Sequence, residues 1–449
     1  MLDRRNFLKA ASLATAETLV GSNLHALAQP QSDTPGPIAA NDHIQFALIG
    51  AGIRGQEITK VALQIPGARL VAVSDTYQGR RDHSKELWGN DLFTTVDYKE
   101  ILARKDIDAV VVATPDHWHK QVSVDAMHAG KDVYCEKPMI HRYSDGPEMI
   151  AAARATHRIL QIGSQRVSNV AYIKAKDLLA AGAIGKLNMV TAWWDRNSAL
   201  GAWDYSIPLD ASPQTCDWPQ FLGTAPQIPF SAEQFFQWRK WKAYGSGVAG
   251  DLFVHLFSGT HFVAGVHGPT RAMATGGLRF WKDGRNVPDV MVALYDYPEA
   301  FNLSLRVNFV NGGSESEGII FTGDEGTMAI YGNSVTLNST PLQKEPGYTV
   351  ETFTFAMQKQ FIQKYREKYP VRHPMGAPTM RSEVYAAARD YDDVYSHFYN
   401  FFHSVRTRQP VVEDAVFGYR AAGAALLSNL SYYSGNIQHW NPETMQLEA

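Results

Sequence analysis

The sequence predicts an α/β protein of two domains, a doubly wound parallel sheet followed by a domain with a meandering sheet. At 449 residues the chain exceeds what one ordinary hydrophobic core needs, which favours two domains. From His43 onward, strand-like and helix-like segments alternate at short spacing, as in βαβ units. Residues 270–340 carry several short strand-like runs separated by Gly, Asn and Pro. We therefore place the domains at 43–165 and 166–449.

The composition is that of a soluble globular protein. Hydrophobic residues make up 45% and charged residues 19%, and the formal net charge is -3, which gives no electrostatic reason to expect nucleic acid. No apolar run is long enough to cross a bilayer as a helix. The only cysteines are Cys135 and Cys216, so a disulfide framework is excluded.

Residues 1–28 resemble a twin-arginine export signal. Arg4 and Arg5 precede a weakly apolar stretch, and a small-x-small site ends at Ala28. This pattern predicts cleavage after about Ala28, passage through the twin-arginine translocase and a periplasmic or otherwise exported protein. Residues 29–42 are then a linker. The alternative is a basic amphipathic start to a cytoplasmic helix.

A glycine-rich turn opens the first domain. An apolar strand is predicted over 44–49, and "GAGIRG" follows it and leads into a helix. The glycines, Gly50, Gly52 and Gly55, suit a tight turn, close approach to a pyrophosphate and close helix–strand packing. The intervening Ile53 and Arg54 belong to the same predicted cofactor site, because the phosphate would lie at the helix amino terminus.

The second strand, "ARLVAVSD", ends on Asp75, 20 residues after Gly55. An acid at this spacing accepts the ribose hydroxyls of an adenosine and repels a 2′-phosphate, so NAD is favoured over NADP. Arg80 opposes this preference, since an arginine nearby can accommodate the extra phosphate. We include both Asp75 and Arg80 in the predicted cofactor site.

The next strand, "IDAVVVATP", leads to Asp-His-Trp-His. Because the carboxyl ends of parallel strands meet at one edge, Thr114, Pro115, His117, Trp118 and His119 are candidates for the nicotinamide side. A zinc site on the His-x-His pair lacks a third ligand at convincing spacing, and no metal is predicted. Surface or helix-capping histidines are the other alternative.

The stretch "DVYCEKPMIH" delivers Glu136 and Lys137 to the same edge. The short β-rich run that begins at Asp132 follows Gly130 and precedes Pro138, so it reads as a buried strand. A glutamate and a lysine at its carboxyl end lie where ligands bind in an open parallel sheet.

Five motifs together resemble the Gfo/Idh/MocA oxidoreductases, the family of glucose-fructose oxidoreductase and inositol dehydrogenase. They are "GAGIRG", "VSD", "ATPDHWH", "AGKDVYCEKP" and "GDLFVH". The resemblance implies a Rossmann domain and a second domain with a mostly antiparallel open sheet that commonly mediates oligomerisation. It also implies that Lys137 is the active-site lysine, that Glu136 lies near the nicotinamide ribose, and that Asp251 and His255 are the family's aspartate and histidine.

The four-residue spacing of Asp251 and His255 predicts that both side chains share one helix face. Oxidation of a carbinol needs a base at the hydroxyl. We expect His255 to be the general acid/base, Asp251 to orient it, and Lys137 to donate to the substrate oxygen and relay the proton. Apolar neighbours leave a core histidine as the alternative for His255.

Candidate substrate residues come from several segments. Trp194 and Arg196 lie in "VTAWWDRNSALGAW", where aromatic faces and charged groups suit a sugar, although tryptophans in strands are more often core. Arg166 is a candidate because it lies at the domain junction. His261 and Tyr172 are the remaining substrate-side candidates, and Gln165 is assigned to the cofactor side.

The sequence thus predicts an exported NAD-dependent oxidoreductase acting on a sugar or sugar-like polyol. Because no pool of free NAD is expected outside the cytoplasm, the cofactor should be tightly bound. The alternative is a redox-assisted glycoside hydrolase of the same family, which oxidises the sugar transiently, eliminates the aglycone and reduces the product again. A non-catalytic sugar or redox sensor is the third class.

Overall fold

The computed structural model describes residues 23–27, 43–340, 346–369 and 381–448. The arginine pair of the predicted export signal, its cleavage site and the linker 29–42 lie outside these ranges. The strands are β1 (Asn23–Ala26), β2 (Ile44–Ile49), β3 (Ala68–Ser74), β4 (Phe93–Thr95), β5 (Ala109–Val112), β6 (Asp132–Glu136), β7 (Leu160–Gly163), β8 (Leu187–Asp195), β9 (Arg271–Gly277), β10 (Val290–Asp296), β11 (Asn302–Asn308), β12 (Ser316–Gly323), β13 (Gly326–Tyr331), β14 (Ser334–Ser339), β15 (Arg381–Ala386), β16 (Gln438–Asn441) and β17 (Gln446–Glu448).

The α-helices of the described residues follow in the same chain order. They are α1 (Ile53–Ala62), α2 (Gln78–Trp88), α3 (Tyr98–Ala103), α4 (Asp116–His128), α5 (Asp145–Thr156), α6 (Val170–Ala180), α7 (Trp218–Leu222), α8 (Ala232–Phe236), α9 (Val254–Ala264), α10 (Phe355–Lys368), α11 (Asp393–Thr407) and α12 (Ala415–Ser434). A π-helical stretch, Ala249–Phe253, precedes α9. None of the helices in the described ranges combines the length and apolar character needed to span a bilayer.

The first sheet is parallel throughout and has the order β4-β3-β2-β5-β6-β7. Strands β5 and β6 are buried along their whole length, which explains their continuous apolar runs. The order reverses between β2 and β5, and this reversal creates a crevice at the carboxyl ends of the strands. The predicted Rossmann sheet is confirmed.

The second sheet has the order β1-β15-β14-β13-β12-β8-β11-β10-β9-β16-β17. Its ladders are antiparallel except β8 with β11 and β1 with β15, so the predicted mostly antiparallel sheet is confirmed. Strand β8 lies between β11 and β12, which makes the sheet more interleaved than a simple meander. Strand β1 belongs to the segment predicted to be cleaved, and it adds four residues to the edge of β15.

Helix α11 packs against the first sheet, although it belongs to the range assigned to the second domain. Phe398, Phe401 and Phe402 share a buried cluster with Phe46 and Tyr134. The Tyr134 and Phe398 rings stack at 4.3 Å between centroids. This part of the carboxyl-terminal segment therefore packs on the first domain.

Candidate active site

The glycine turn after β2 has the geometry that a phosphate site needs. Gly50 has a φ of +96°, and a Cβ there would meet Ala113 O at 2.6 Å. A Cβ on Gly55 would lie 2.0 Å from Gly50 O. Gly52 caps α1 without a side-chain hydrogen bond, so the amide groups of the first turn remain available to an anion.

Asp75 lies at the end of β3 and is fixed by the backbone. Its Oδ2 accepts from Ala51 N at 2.8 Å, and its Oδ1 accepts from Tyr77 N at 2.9 Å. Arg80 approaches the carboxylate at 3.6 Å. A buried carboxylate at this strand end, next to the glycine turn, is placed for ribose hydroxyls.

Thr114 and Pro115 line the same cleft after β5, as do Ile53, Arg54 and Trp118. The Thr114 hydroxyl is buried without a hydrogen-bond partner in the protein. An orphaned hydroxyl beside a glycine turn and a strand-end acid fits a dinucleotide, which would supply the missing partner. The residues present therefore suit a nicotinamide dinucleotide, which Asp75 and Thr114 would help to hold.

Glu136 and Lys137 stand at the carboxyl end of β6, as predicted. Arg54 Nε donates to Glu136 Oε1 at 3.0 Å, which ties the glycine turn to this strand end. Lys137 Nζ donates to the backbone oxygen and to Oδ1 of Asp251, both at 2.7 Å. Lys137 therefore connects the first domain to the π-helical stretch of the second.

Asp251 accepts hydrogen bonds from three residues and has one further cation nearby. Besides Lys137, Trp203 Nε1 donates at 3.0 Å and Arg239 Nε at 3.3 Å, while Arg196 Nη1 lies at 4.0 Å. Burial opposes ionisation, but the positive charges of the lysine and the two arginines outweigh it and hold the pKa of Asp251 well below its usual value. Asp251 is therefore a permanent anion at the junction of the two domains.

His255 lies next to this pair but is held by other groups. Its Nδ1 lies 3.3 Å from Ser164 Oγ, and its ring is 5.4 Å from Trp194. Burial, followed by the positive charges of Lys137 and Arg166, lowers the pKa of His255 well below its ordinary value. His255 is thus a neutral imidazole at neutral pH.

The structure shows no hydrogen bond between Asp251 and His255 among the described residues, although the Asp251 charge still acts on the imidazole and opposes the lowering of the His255 pKa. The carboxylate bonds Lys137, and Ser164 is the hydrogen-bond partner found for the imidazole. Asp251 lies in the π-helical stretch Ala249–Phe253, and His255 lies in the first turn of α9.

Four of the five substrate-side candidates lie together, and the fifth, His261, lies elsewhere in the core. Arg166 lies over the rings of Tyr172 and Trp194, at 5.6 and 5.4 Å, and Arg196 lies 5.8 Å from the Trp194 ring. These four residues therefore form one cluster beside His255.

Arg166 is held in place by Glu317, which accepts two hydrogen bonds from Nη2 at 2.8 and 2.9 Å. Its Nε is buried without a partner. The guanidinium therefore combines a fixed orientation with one unsatisfied donor.

Comparison with known proteins identifies the family. The family model described as the oxidoreductase family with an NAD-binding Rossmann fold (Gfo/Idh/MocA) matches residues 44–164, and the model of the C-terminal alpha/beta domain of that family matches 176–428. The chain belongs to the Gfo/Idh/MocA oxidoreductase family. This confirms the resemblance found in the sequence motifs.

Two curated proteins are similar in sequence to part of this Gfo/Idh/MocA chain, over about a third of its length or somewhat more. Inositol 2-dehydrogenase 1 of Saccharopolyspora erythraea is 33% identical over 144 residues, which cover 32% of this chain and 43% of that protein. A glycosyl hydrolase family 109 protein of Shewanella baltica is 29% identical over 212 residues, which cover 41% of this chain and 44% of that protein. The matches thus span less than half the length of either relative.

Among solved Gfo/Idh/MocA-like structures, levoglucosan dehydrogenase in complex with NADH superposes with a TM-score of 0.62. The superposition covers 88% of this chain and 98% of that one at 17% identity. At this identity the likeness concerns the fold alone.

Two of the predicted site histidines, His117 and His119, have structural roles in this Gfo/Idh/MocA fold. His119 lies with Nδ1 2.8 Å from Pro138 O and Nε2 2.9 Å from Thr114 O, so it is a buried strut between two strand ends. His117 Nε2 lies 2.9 Å from Phe221 O, and burial lowers its pKa to about 4. These two residues do not line the cleft but hold its walls.

His261 and Gln165 also point into the protein. His261 Nε2 lies 2.8 Å from Tyr297 Oη in the core of the second domain, and burial lowers its pKa to about 3. Gln165 Nε2 donates to Tyr134 Oη at 3.1 Å and to Gly163 O at 2.8 Å. His261 therefore lies in the core of the second domain and the amide nitrogen of Gln165 is engaged within the protein, and neither residue lines the cleft.

Residues 196–246, between β8 and the π-helical stretch, supply cleft residues that the motifs did not predict. We call them the cover segment. Its residues Tyr205, Phe235, Phe236, Trp238 and Arg239 line the cleft opposite the glycine turn. The aromatic-rich run "QFFQWRKW" was the sequence signal that could have indicated a binding surface. It matches no short motif, and the residues that it packs against lie far away in the sequence.

Proposed function

We propose that the protein is an exported NAD-dependent oxidoreductase that acts on a sugar or sugar-like polyol and retains its cofactor. The observation that carries the proposal is the arrangement of Lys137, Asp251 and His255 beside the dinucleotide cleft. A permanent anion, a lysine bound to it and a neutral imidazole together meet the needs of carbinol oxidation.

Lys137 and His255 each keep one atom that can act on the substrate. Asp251 occupies two of the three N–H donors of Lys137, which leaves the third for a substrate oxygen. His255 contacts Ser164 through Nδ1, which leaves Nε2 to accept the hydroxyl proton. When bound, NAD supplies the hydride acceptor. In this proposal Asp251 positions Lys137 and does not touch the substrate.

The preference for NAD over NADP is supported by the surroundings of Asp75. Both carboxylate oxygens are fixed by backbone amides, so a negative charge stands where a 2′-phosphate would come. Arg80 approaches that carboxylate at 3.6 Å and lies 5.2 Å from the Phe236 ring. Its positive charge is therefore paired with Asp75 and does not favour a 2′-phosphate.

A sugar or polyol is supported by the cluster beside His255. Trp194 provides an aromatic surface, and Arg166 has one donor that no protein group satisfies. The matched inositol dehydrogenase and levoglucosan dehydrogenase act on molecules of this class, as their names state.

The rival proposal is a redox-assisted glycoside hydrolase. The 29% identity to a glycosyl hydrolase family 109 protein favours it. Incubation of the purified protein with aryl glycosides in deuterated water separates the two. Aglycone release with deuterium in the sugar and no net reduced cofactor supports the hydrolase, whereas reduction of bound cofactor by free sugars or polyols supports the oxidoreductase. If His255→Ala binds a sugar as the parent protein does, and neither protein shows chemistry, the sensor is supported.

Export is supported by the arginine pair near the amino terminus. Cleavage after Ala28 would remove β1 and leave the edge of β15 open. Mass spectrometry of protein isolated from the exported fraction tests this: an intact amino terminus there contradicts cleavage.

A homo-oligomer is supported by apolar side chains on the outer face of the second sheet, where Met273, Val292 and Leu294 are half exposed. Light scattering at several concentrations tests it, and a monomer at every concentration contradicts it.

A further inference from the structure

The cover segment is attached to the first domain through its backbone. Gln78 N donates to Thr215 O and Asp217 N donates to Thr76 O, both at 2.8 Å. Between these bonds, Tyr77 and Cys216 form an antiparallel bridge. The attachment lies directly after Asp75, at the strand end predicted to hold the adenosine ribose.

The cover segment also has a hydrophobic core of its own. Trp218, Phe221, Phe235 and Tyr244 are buried together, and Tyr77 of the first domain joins the same cluster. Trp118 Nε1 donates to Phe221 O at 2.8 Å from the other side of the cleft. The segment is therefore a packed structure anchored at two points rather than a loose loop.

Two aromatic rings of this core reach the adenosine end of the cleft. The Arg80 guanidinium lies 5.2 Å from the Phe236 ring and 6.0 Å from the Phe235 ring, and 3.6 Å from Asp75 on its other side. Both phenylalanines line the cleft together with Asp75. A flat base attached to a ribose on Asp75 would meet aromatic and guanidinium surfaces, which favour stacking.

We propose that Phe235 and Phe236 of the cover segment, together with Arg80, form the adenosine subsite and enclose the cofactor. The dinucleotide then leaves only when the cover segment detaches from residues 76–78. This inference rests on the proposed function, and it assigns cofactor retention to the cover segment as well as to Arg80 of the Rossmann domain.

The first test is loss of bound nucleotide from purified Phe236→Ala protein. The variant and the parent protein are passed repeatedly over a desalting column, and the adenine nucleotide still bound is measured by absorbance and mass after heat release. Because the ring contributes burial to the ligand, we expect loss to be about tenfold faster than from the parent protein.

The matched control is Phe230→Ala. Phe230 belongs to the same core, with its ring 5.7 Å from Trp218, but it does not line the cleft. Thermal unfolding of both variants shows whether a general weakening of the cover segment explains the loss. Equal retention by Phe236→Ala and parent protein overturns the inference, as does equally fast loss from Phe230→Ala.

The second test locks the cover segment. Tyr77→Cys places a thiol opposite Cys216, at a bridge position where Cα distances suit a disulfide. The other cysteine, Cys135, is buried in the first sheet and cannot compete. We expect the oxidised variant to exchange added nucleotide at least about tenfold more slowly than the same sample after reduction.

This comparison is made within one protein, so a folding defect of the variant cancels. Equal exchange before and after reduction, with the disulfide verified by mass, overturns the inference. A parent protein that contains no adenine nucleotide and takes up no NAD overturns the proposed function instead, so the two failures are distinguishable.

Discussion

The two walls of the candidate active site are built in different ways. The Rossmann wall comes from strand ends within residues 50–137, where each functional residue follows its strand directly. The opposite wall joins Ser164, Trp194 and His255 with the cover segment, and its contacts cross long stretches of sequence. The first wall is specified by local motifs and the second by tertiary packing, so the two should respond differently to substitution.

Lys137→Ala gives the largest expected effect, because Lys137 joins the two walls. We expect turnover to fall by about a thousandfold, since a donor to the reacting oxygen is lost. Bound cofactor should stay at the parent level, because the glycine turn and Asp75 are untouched. Steady-state turnover and nucleotide content are the measurements, and Lys120→Ala, which removes a surface lysine paired with Glu148, is the control. Unchanged turnover contradicts the assignment.

Asp251→Asn should have the next largest effect, since it leaves Lys137 and Arg239 without their carboxylate. We expect turnover to fall by about a hundredfold and the free energy of unfolding to fall by about 3 kcal/mol, because buried cations lose their partner. Kinetics and chemical denaturation measure both. Asp106→Asn is the control, because that carboxylate pairs with Arg104 near the surface. If both variants behave alike, Asp251 has no special role.

Gly55→Ala breaks the Rossmann wall alone. The added Cβ would lie 2.0 Å from Gly50 O, so the glycine turn must shift. We expect nucleotide retention to weaken by about tenfold or more while the second domain keeps its fold. Gly312→Ala is the matched control, because a Cβ there meets nothing within 4 Å. Full retention by Gly55→Ala contradicts the placement of the phosphate.

The sequence predicted the first wall well because spacing along one strand–turn–helix unit determines it. The glycine turn, Asp75 and Lys137 all lie at predicted strand ends, and the resemblance to the family identified the second sheet. The motifs did not predict that Asp251 binds Lys137, because that contact joins two residues 114 positions apart in the chain. Nor did they predict the cover segment, since its aromatic residues pack against partners that are distant in the chain: Phe236 contacts Tyr77, 159 residues earlier.

Acid should weaken the contact between helix α11 and the first domain, with an effect on stability and none on cofactor binding. His397 of α11 lies 2.9 Å from Ile162 O and 2.8 Å from Ser168 Oγ, and burial lowers its pKa to about 4 from 6.5. His397 therefore becomes protonated below about pH 6.5 in the unfolded chain but only below about pH 4 in the folded protein. Stability is fully present above pH 6.5 and falls as the pH drops through this window, by up to about 3 kcal/mol for this histidine.

His397→Gln tests that sign, because glutamine does not titrate. Its free energy of unfolding, measured by urea denaturation from pH 7.5 to pH 4.5, should depend less on pH than that of the parent protein. Glu413, whose pKa burial raises, acts with the opposite sign in both proteins and cancels in the comparison. Because His397 fixes α11 to the first domain without touching the cleft, nucleotide content at pH 7.5 should be unchanged. Parallel pH profiles for the two proteins would show that the contact of His397 with the first domain is not the one that acid breaks.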